Sequence, residues 1–141
     1  MESREAKQLL AESKVARLAT VSDEGRPHIV PFVFALDGDT LYFAVDAKPK
    51  TTTNLKRLKN IAFNPAVSVL VDHFEDDWSK LWWVRADGTA RVITDESDAQ
   101  RATELLVTKY AQYRTARPAG PVVAIQIDRI TGWSFKDLTD T

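Results

Sequence analysis

The 141-residue chain has no cysteine, one methionine and only two histidines, His28 and His73. Without cysteine there is no disulfide staple, no thiolate metal site and no cysteine nucleophile, and no thiol signature of a secreted protein. No charge of one sign predominates. Nineteen Lys and Arg stand against 20 Asp and Glu, for a formal net charge of -1, so the overall balance argues for neither a nucleic acid nor an acidic partner. No apolar run approaches the roughly 20 residues that cross a bilayer. The opening MESREAKQLLAESK is charged from its second residue and lacks the apolar core of a signal peptide. The expectation is a soluble, cytoplasmic, single domain over residues 1–141, long enough to bury a core without metal or disulfide.

What charge there is, is unevenly placed. Between Asp46 and Pro65 the chain carries Lys48, Lys50, Lys56, Arg57 and Lys59 against the single acid Asp46, with Thr51, Thr52, Thr53 and Asn54 among them. Leu55, Leu58 and Ile61 recur at helical spacing, which predicts a short amphipathic helix beginning near Thr52 or Thr53. A helix N-terminus flanked by lysines favours an anion through its unpaired N–H groups and its dipole. Taken alone, the stretch reads first as a solvated basic helix.

Strands surround it. Val15–Val21 is rich in β-formers and ends in the turn signal SDEGRP. His28–Leu36 is a second apolar run, in which Pro31 predicts an edge position or a bulge because proline cannot donate to a ladder. Asp37-Gly38-Asp39 predicts a tight turn into Leu41–Val45, so the three runs read as an antiparallel meander. Val67–Val71 alternates, and Leu81–Ile93 reads as one long strand bent at Gly88 rather than a hairpin. Helices are predicted at Ser3–Lys14, with Ser3 as cap, and at about Asp95–Tyr113, followed by a loop over Arg114–Pro121. Val123, Ile125 and Ile127 alternate with Ala124, Gln126 and Asp128 as a half-buried strand. Six or so antiparallel strands with two or three helices predict a mainly β fold, a small barrel with helices over its ends.

The order of VARLATVSDEGRPHIVPFVFALDGDTLYFAV, a basic helix ending in NP, then VSVLVD and GTARV, resembles the split β-barrel flavin-binding family of pyridoxamine 5′-phosphate oxidase over about Val15–Ile93. Asp76–Val92, with DDW followed by LWWVRADG, is most similar to the branch that uses the deazaflavin coenzyme F420. The resemblance implies a homodimer with two cofactors in grooves between subunits. It puts the isoalloxazine-like ring against the second and third strands and the cofactor phosphate on the basic segment. The phosphate diester and polyglutamate tail of coenzyme F420 would use an extended set of cations, whereas FMN has one compact phosphate. The chain ends TGWSFKDLTDT and lacks the arginine- and histidine-bearing C-terminal segment with which true pyridoxamine phosphate oxidases hold their substrate. Vitamin B6 oxidation is therefore not expected.

The implied cofactor site comprises Lys48, Lys50, Thr51, Lys56, Arg57 and Lys59 toward phosphate and tail. Pro31, Phe32, Val33 and Ala44, within Phe43–Val45, would form the ring shelf, and Trp78 is a candidate wall; any one of these is equally an ordinary structural residue. Arg114 and Arg117 border a loop able to close over the tail. Adjacent Trp82 and Trp83 must point to opposite faces of a strand, so one lies at a dimer interface or over the cofactor. His73, Glu75, Asp76 and Asp77 match no metal-ligand spacing. Hydride transfer needs orientation and a dry pocket more than acid–base groups, and no catalytic side chain is assigned. The function expected is a reduced-F420 oxidoreductase acting on a small unsaturated or quinone-like substrate. FMN-dependent chemistry on the same fold, or a flavin- or haem-binding module without turnover, are the alternatives. A nucleic-acid-binding barrel would interleave aromatics with its cations, and this chain does not.

Overall fold

A computed structural model describes residues 1–45 and 52–136. Its elements run α1 (Ser3–Glu12), β1 (Ala16–Val21), β2 (Pro27–Phe32), β3 (Ala35–Asp37), β4 (Thr40–Ala44), α2 (Thr52–Phe63), β5 (Ala66–His73), a 3-10 turn (Trp78–Lys80), β6 (Trp82–Val92), α3 (Glu96–Lys109), α4 (Gln112–Thr115) and β7 (Val122–Ser134). The seven strands make one antiparallel sheet in the order β2-β1-β5-β6-β7-β4-β3. The mainly β class and the barrel architecture match the expectation.

The meander does not. The run His28–Leu36 breaks at Val33 and Phe34, and its two halves go to opposite edges of the sheet, β2 beside β1 and β3 beside β4. Hydropathy sees one apolar run, but two residues join the sheet's two margins, so the sheet has to curl until those margins meet. Pro31 accordingly sits in an edge strand, opposite Arg17. Gly38, at φ +61°, closes the β3–β4 turn.

Inside the curl, alternate residues pack as one core. Leu18, Phe34, Leu41, Phe43, Val69, Val71, Val84, Val123 and Ile125 are almost wholly buried there. β6 is a single strand, as read, and its pairing with β7 shifts between Asp87 and Gly88. The first four residues of β7, Val122–Ile125, are all buried rather than alternating. α3 covers the outer face there, and Val122 and Ala124 pack with Ala102 and Ile93. α3 begins at an Asp95 cap, whose carboxylate accepts from the Asp98 N–H at 3.0 Å, and ends at Lys109. The expected single helix to Tyr113 is thus two, with Gln112–Thr115 turning separately. Ser3 is the first residue of α1 rather than its cap.

Candidate functional site

The candidate site is a cavity of about 620 Å³ where four parts of the chain meet. The end of β2 and the residue after it bring Pro31, Phe32 and Val33; β4 and the residue after it bring Phe43, Ala44 and Val45. α2 contributes Arg57, and the α4 corner contributes Gln112, Tyr113, Ala116, Arg117, Pro118 and Ala119. Phe32 and Phe43 meet edge to face with ring centroids 5.2 Å apart, which fixes the aromatic floor.

α2 sorts its basic residues by helical position. Arg57, Asn60 and Ile61 face inward and are buried, and Leu58 packs partly against the core. Lys56 and Lys59 point to solvent. Asn60 pins the helix to the barrel by donating from Nδ2 to Thr20 Oγ1 at 3.0 Å, between two groups that are both buried. This leaves Arg57, 8% exposed, with its guanidinium carbon 5.5 Å from the centre of the Phe43 ring. Burial lowers the Arg57 pKa from its ordinary value, and the nearby Tyr113 phenol partly offsets that by favouring the cation.

Of the expected cofactor-binding residues, Pro31, Phe32, Val33, Ala44 and Arg57 come together on this one cavity. Lys56 and Lys59 lie on α2 but do not line it. Trp78 stands apart, 61% exposed on the 3-10 turn, whose N-terminus is capped by Asp77 accepting from the Ser79 N–H at 3.1 Å. Lys48, Lys50 and Thr51 fall outside the described residues. Arg117 reaches the cavity rim and is ion-paired with Glu104 of α3, while Arg114 donates to the Thr108 carbonyl at 3.1 Å. Sequence reasoning missed Gln112, Tyr113, Ala116, Pro118 and Ala119. The available signal was the tyrosine pair Tyr110 and Tyr113 just ahead of Pro118.

A second groove of about 530 Å³ runs over the outer face of β1, β5, β6 and β7. Ala19, Leu70, Trp83 and Trp133 line it, with Ile29 63% and Phe74 70% exposed at its sides. Trp83 faces outward opposite Trp133, whereas Trp82 packs against the core and stacks on His73 at 6.3 Å, so the two adjacent tryptophans do divide between faces. His73 is also paired with Glu75.

Comparison with curated proteins finds no match. Solved structures share the fold at low identity. A conserved hypothetical protein of Mycobacterium tuberculosis superposes with a TM-score of 0.80 at 20% identity, over 99% of this chain and 88% of that one. An FAD-binding protein of Mesorhizobium loti gives 0.71 at 23% identity over 94% of each chain. A heme-binding protein of Mycobacterium smegmatis gives 0.70 at 19% identity, over 94% of this chain and 57% of that one. The sequence pattern of the family described as pyridoxamine 5′-phosphate oxidase matches residues 3–134, nearly the whole chain. The chain therefore belongs to the pyridoxamine 5′-phosphate oxidase family.

Proposed function

We propose that the chain is an oxidoreductase that holds reduced coenzyme F420 in the 620 Å³ cavity and passes hydride to a small unsaturated or quinone-like molecule. The observation that carries this reading is a buried guanidinium beside the aromatic floor of the cavity, on a helix that also bears exposed lysines. Such walls suit a planar ring that carries polar oxygens at one edge, and the volume suits a tricyclic ring system. The cofactor supplies the hydride. Phe32, Phe43 and Val33 keep water from the ring face, Arg57 meets polar atoms at its edge, and Lys56 and Lys59 extend the cationic path toward a phosphate and tail.

FMN on the same shelf is the second reading, favoured by the FAD-binding protein of the same fold. Haem would find no histidine here, since neither His28 nor His73 lines the cavity, and would call on Tyr113 as its iron ligand. The outer groove over Leu70, Trp83 and Trp133 suits a second copy of the chain, since aromatic anchors flanked by Arg17 and Arg85 are typical of protein interfaces.

Titration separates the cofactors. The expected result is colourless protein from a host that makes no F420, with tryptophan fluorescence quenched by added F420 and unaffected by FMN. A yellow preparation, or micromolar FMN affinity with none for F420, assigns the cavity to FMN. Reversing both Lys56 and Lys59 to glutamate is expected to weaken F420 binding about tenfold or more, through loss of charge-assisted contacts to the tail, without changing the circular dichroism spectrum.

A further inference from the structure

Of the other polar groups on the cavity, one is placed to act with Arg57. Tyr113 lines it from α4, and a charge on its phenol is close enough to Arg57 to raise the Arg57 pKa. Tyr113 is well held. Its ring packs edge to face on Tyr110, with centroids 6.0 Å apart at 78°. Tyr110 is itself fixed: its hydroxyl accepts from the Phe34 N–H at 3.1 Å and bonds the Lys14 and Phe34 carbonyls at 2.9 and 3.0 Å. The α4 wall is thereby tied to the two residues that join β2 to β3. A phenol O–H and a guanidinium thus line one aromatic-floored cavity, each held by aromatic packing. Between a buried guanidinium and a half-buried phenol, a developing negative oxygen is stabilised by a fixed donor and a fixed cation more than in bulk water.

We propose that Tyr113 and Arg57 form an oxyanion-receiving pair, with Tyr113 the proton donor to the carbonyl oxygen of a conjugated carbonyl substrate. The inference rests on the hydride-transfer reading above and names the substrate class for that same cavity. A reduced deazaflavin or flavin held there would supply a hydride, with its two electrons, to the β-carbon of the substrate. The C=C π pair shifts to form an enolate, whose oxygen takes the Tyr113 proton. The enol tautomerises to the saturated carbonyl compound, and water reprotonates the phenolate left beside Arg57. Substrate gains two electrons and two protons' worth of hydrogen, and the cofactor is oxidised by the same two electrons.

Two measurements test it. The first needs no cofactor: the chain is titrated with 4-nitrophenol near neutral pH, where absorbance reports ionisation. Wild type is expected to bind the phenolate and lower its apparent pKa. Arg57→Met is expected to abolish that shift and weaken binding at least tenfold, Arg57→Lys to restore part of it, and Tyr113→Phe to bind with a smaller shift. Absence of binding by wild type, or equal behaviour of folded Arg57→Met and Tyr113→Phe, overturns the pair. The second uses cofactor-loaded protein and an enone. Tyr113→Phe is expected to lower kcat about 100-fold or more, the scale of a lost general acid, with cofactor affinity unchanged and the solvent isotope effect lost. An unchanged kcat overturns the donor role. If neither F420 nor FMN binds while the nitrophenol pKa shift still depends on both side chains, the hydride reading fails and the pair stands.

Discussion

Lys109 is the residue whose placement is least expected from composition. Its ammonium lies 3.8 Å from the centre of the Phe34 ring, and burial, with repulsion from Lys14 second, pulls its pKa from 10.5 down to about 8. The folded state therefore releases this proton before the unfolded chain does. Between pH 8 and about 10.5 the unfolded chain binds more protons, so this group makes stability rise with pH across that window. Tyr110 acts in the opposite sense but later, because burial raises its pKa above 10 and its contribution is lost only as pH climbs through that higher value. Urea midpoints measured from pH 8 to 10 should therefore rise in wild type, and the slope should flatten in Lys109→Met. A wild-type midpoint that falls over that interval would contradict the buried ammonium. Gly88 gives a steric prediction. A Cβ there would press into the Gln126 carbonyl oxygen and lie 2.8 Å from Ile125 Cγ2, so backbone must move. Gly88→Ala is expected to cost about 1–3 kcal/mol, the range for an overpacked site, read as a lowered melting temperature.

Among the elements, α2 carries the link between barrel and cavity. Its Asn60 is hydrogen-bonded to Thr20 of β1, between two buried groups. Asn60→Ala is expected to cost about 1–3 kcal/mol, since Thr20 would lose a buried partner, and to loosen Arg57 so that ligand affinity falls with stability. Retention of full affinity at lowered stability would place Arg57's positioning elsewhere.

The elements also show what sequence could and could not reveal. β1, β4, β5 and the bent β6 were legible because each has a two-residue alternation against one buried face, and Gly88 marks the bend. The split of His28–Leu36 was not, because Val33 and Phe34 are as apolar as their neighbours and the break is dictated by where β2 and β3 find partners. Val122–Ile125 breaks its alternation because α3 lies over it, a contact between residues twenty apart that no local period encodes. The shelf residues Pro31–Val33 and Ala44 could be located through family likeness, and Arg57 through the cationic run. That Arg57 alone turns inward while Lys56 and Lys59 do not follows from helical phase, which Leu58 and Ile61 already implied. The α4 wall with Tyr113 was hidden because a helix read straight through Tyr110 carries no sign of a corner.

At the scale of the whole molecule, the outer groove is the feature that asks for company. Leu70, Trp83 and Trp133 with exposed Ile29 form an apolar strip that a monomer would leave in water. Light scattering on the purified chain is expected to give twice the 15.8 kDa subunit mass. Leu70→Glu is expected to shift that mass toward the monomer, because a carboxylate buried in an interface loses its hydration. A monomeric wild type would remove the second copy from the reading and leave the cavity to work alone.

The two-residue join at Val33–Phe34 also bears on how the chain reaches its fold. Hairpins β1–β2 and β3–β4 are local and sit side by side in sequence, yet they are destined for the two far ends of the sheet. β4 finds its other neighbour only in β7, pairing Leu41 with Ile125, and β1 finds its own in β5. Neither early hairpin can dock until chain synthesised much later is available. Closure is then a long-range event, of the kind that sets folding on the millisecond-to-second scale. Phe34, at that join, is held by Tyr110 near the far end of α3. A late part of the chain thus fastens an early one, and a nascent chain stalled at Tyr110 could seat β1–β2 on β5 but would have no β7 to receive β3–β4.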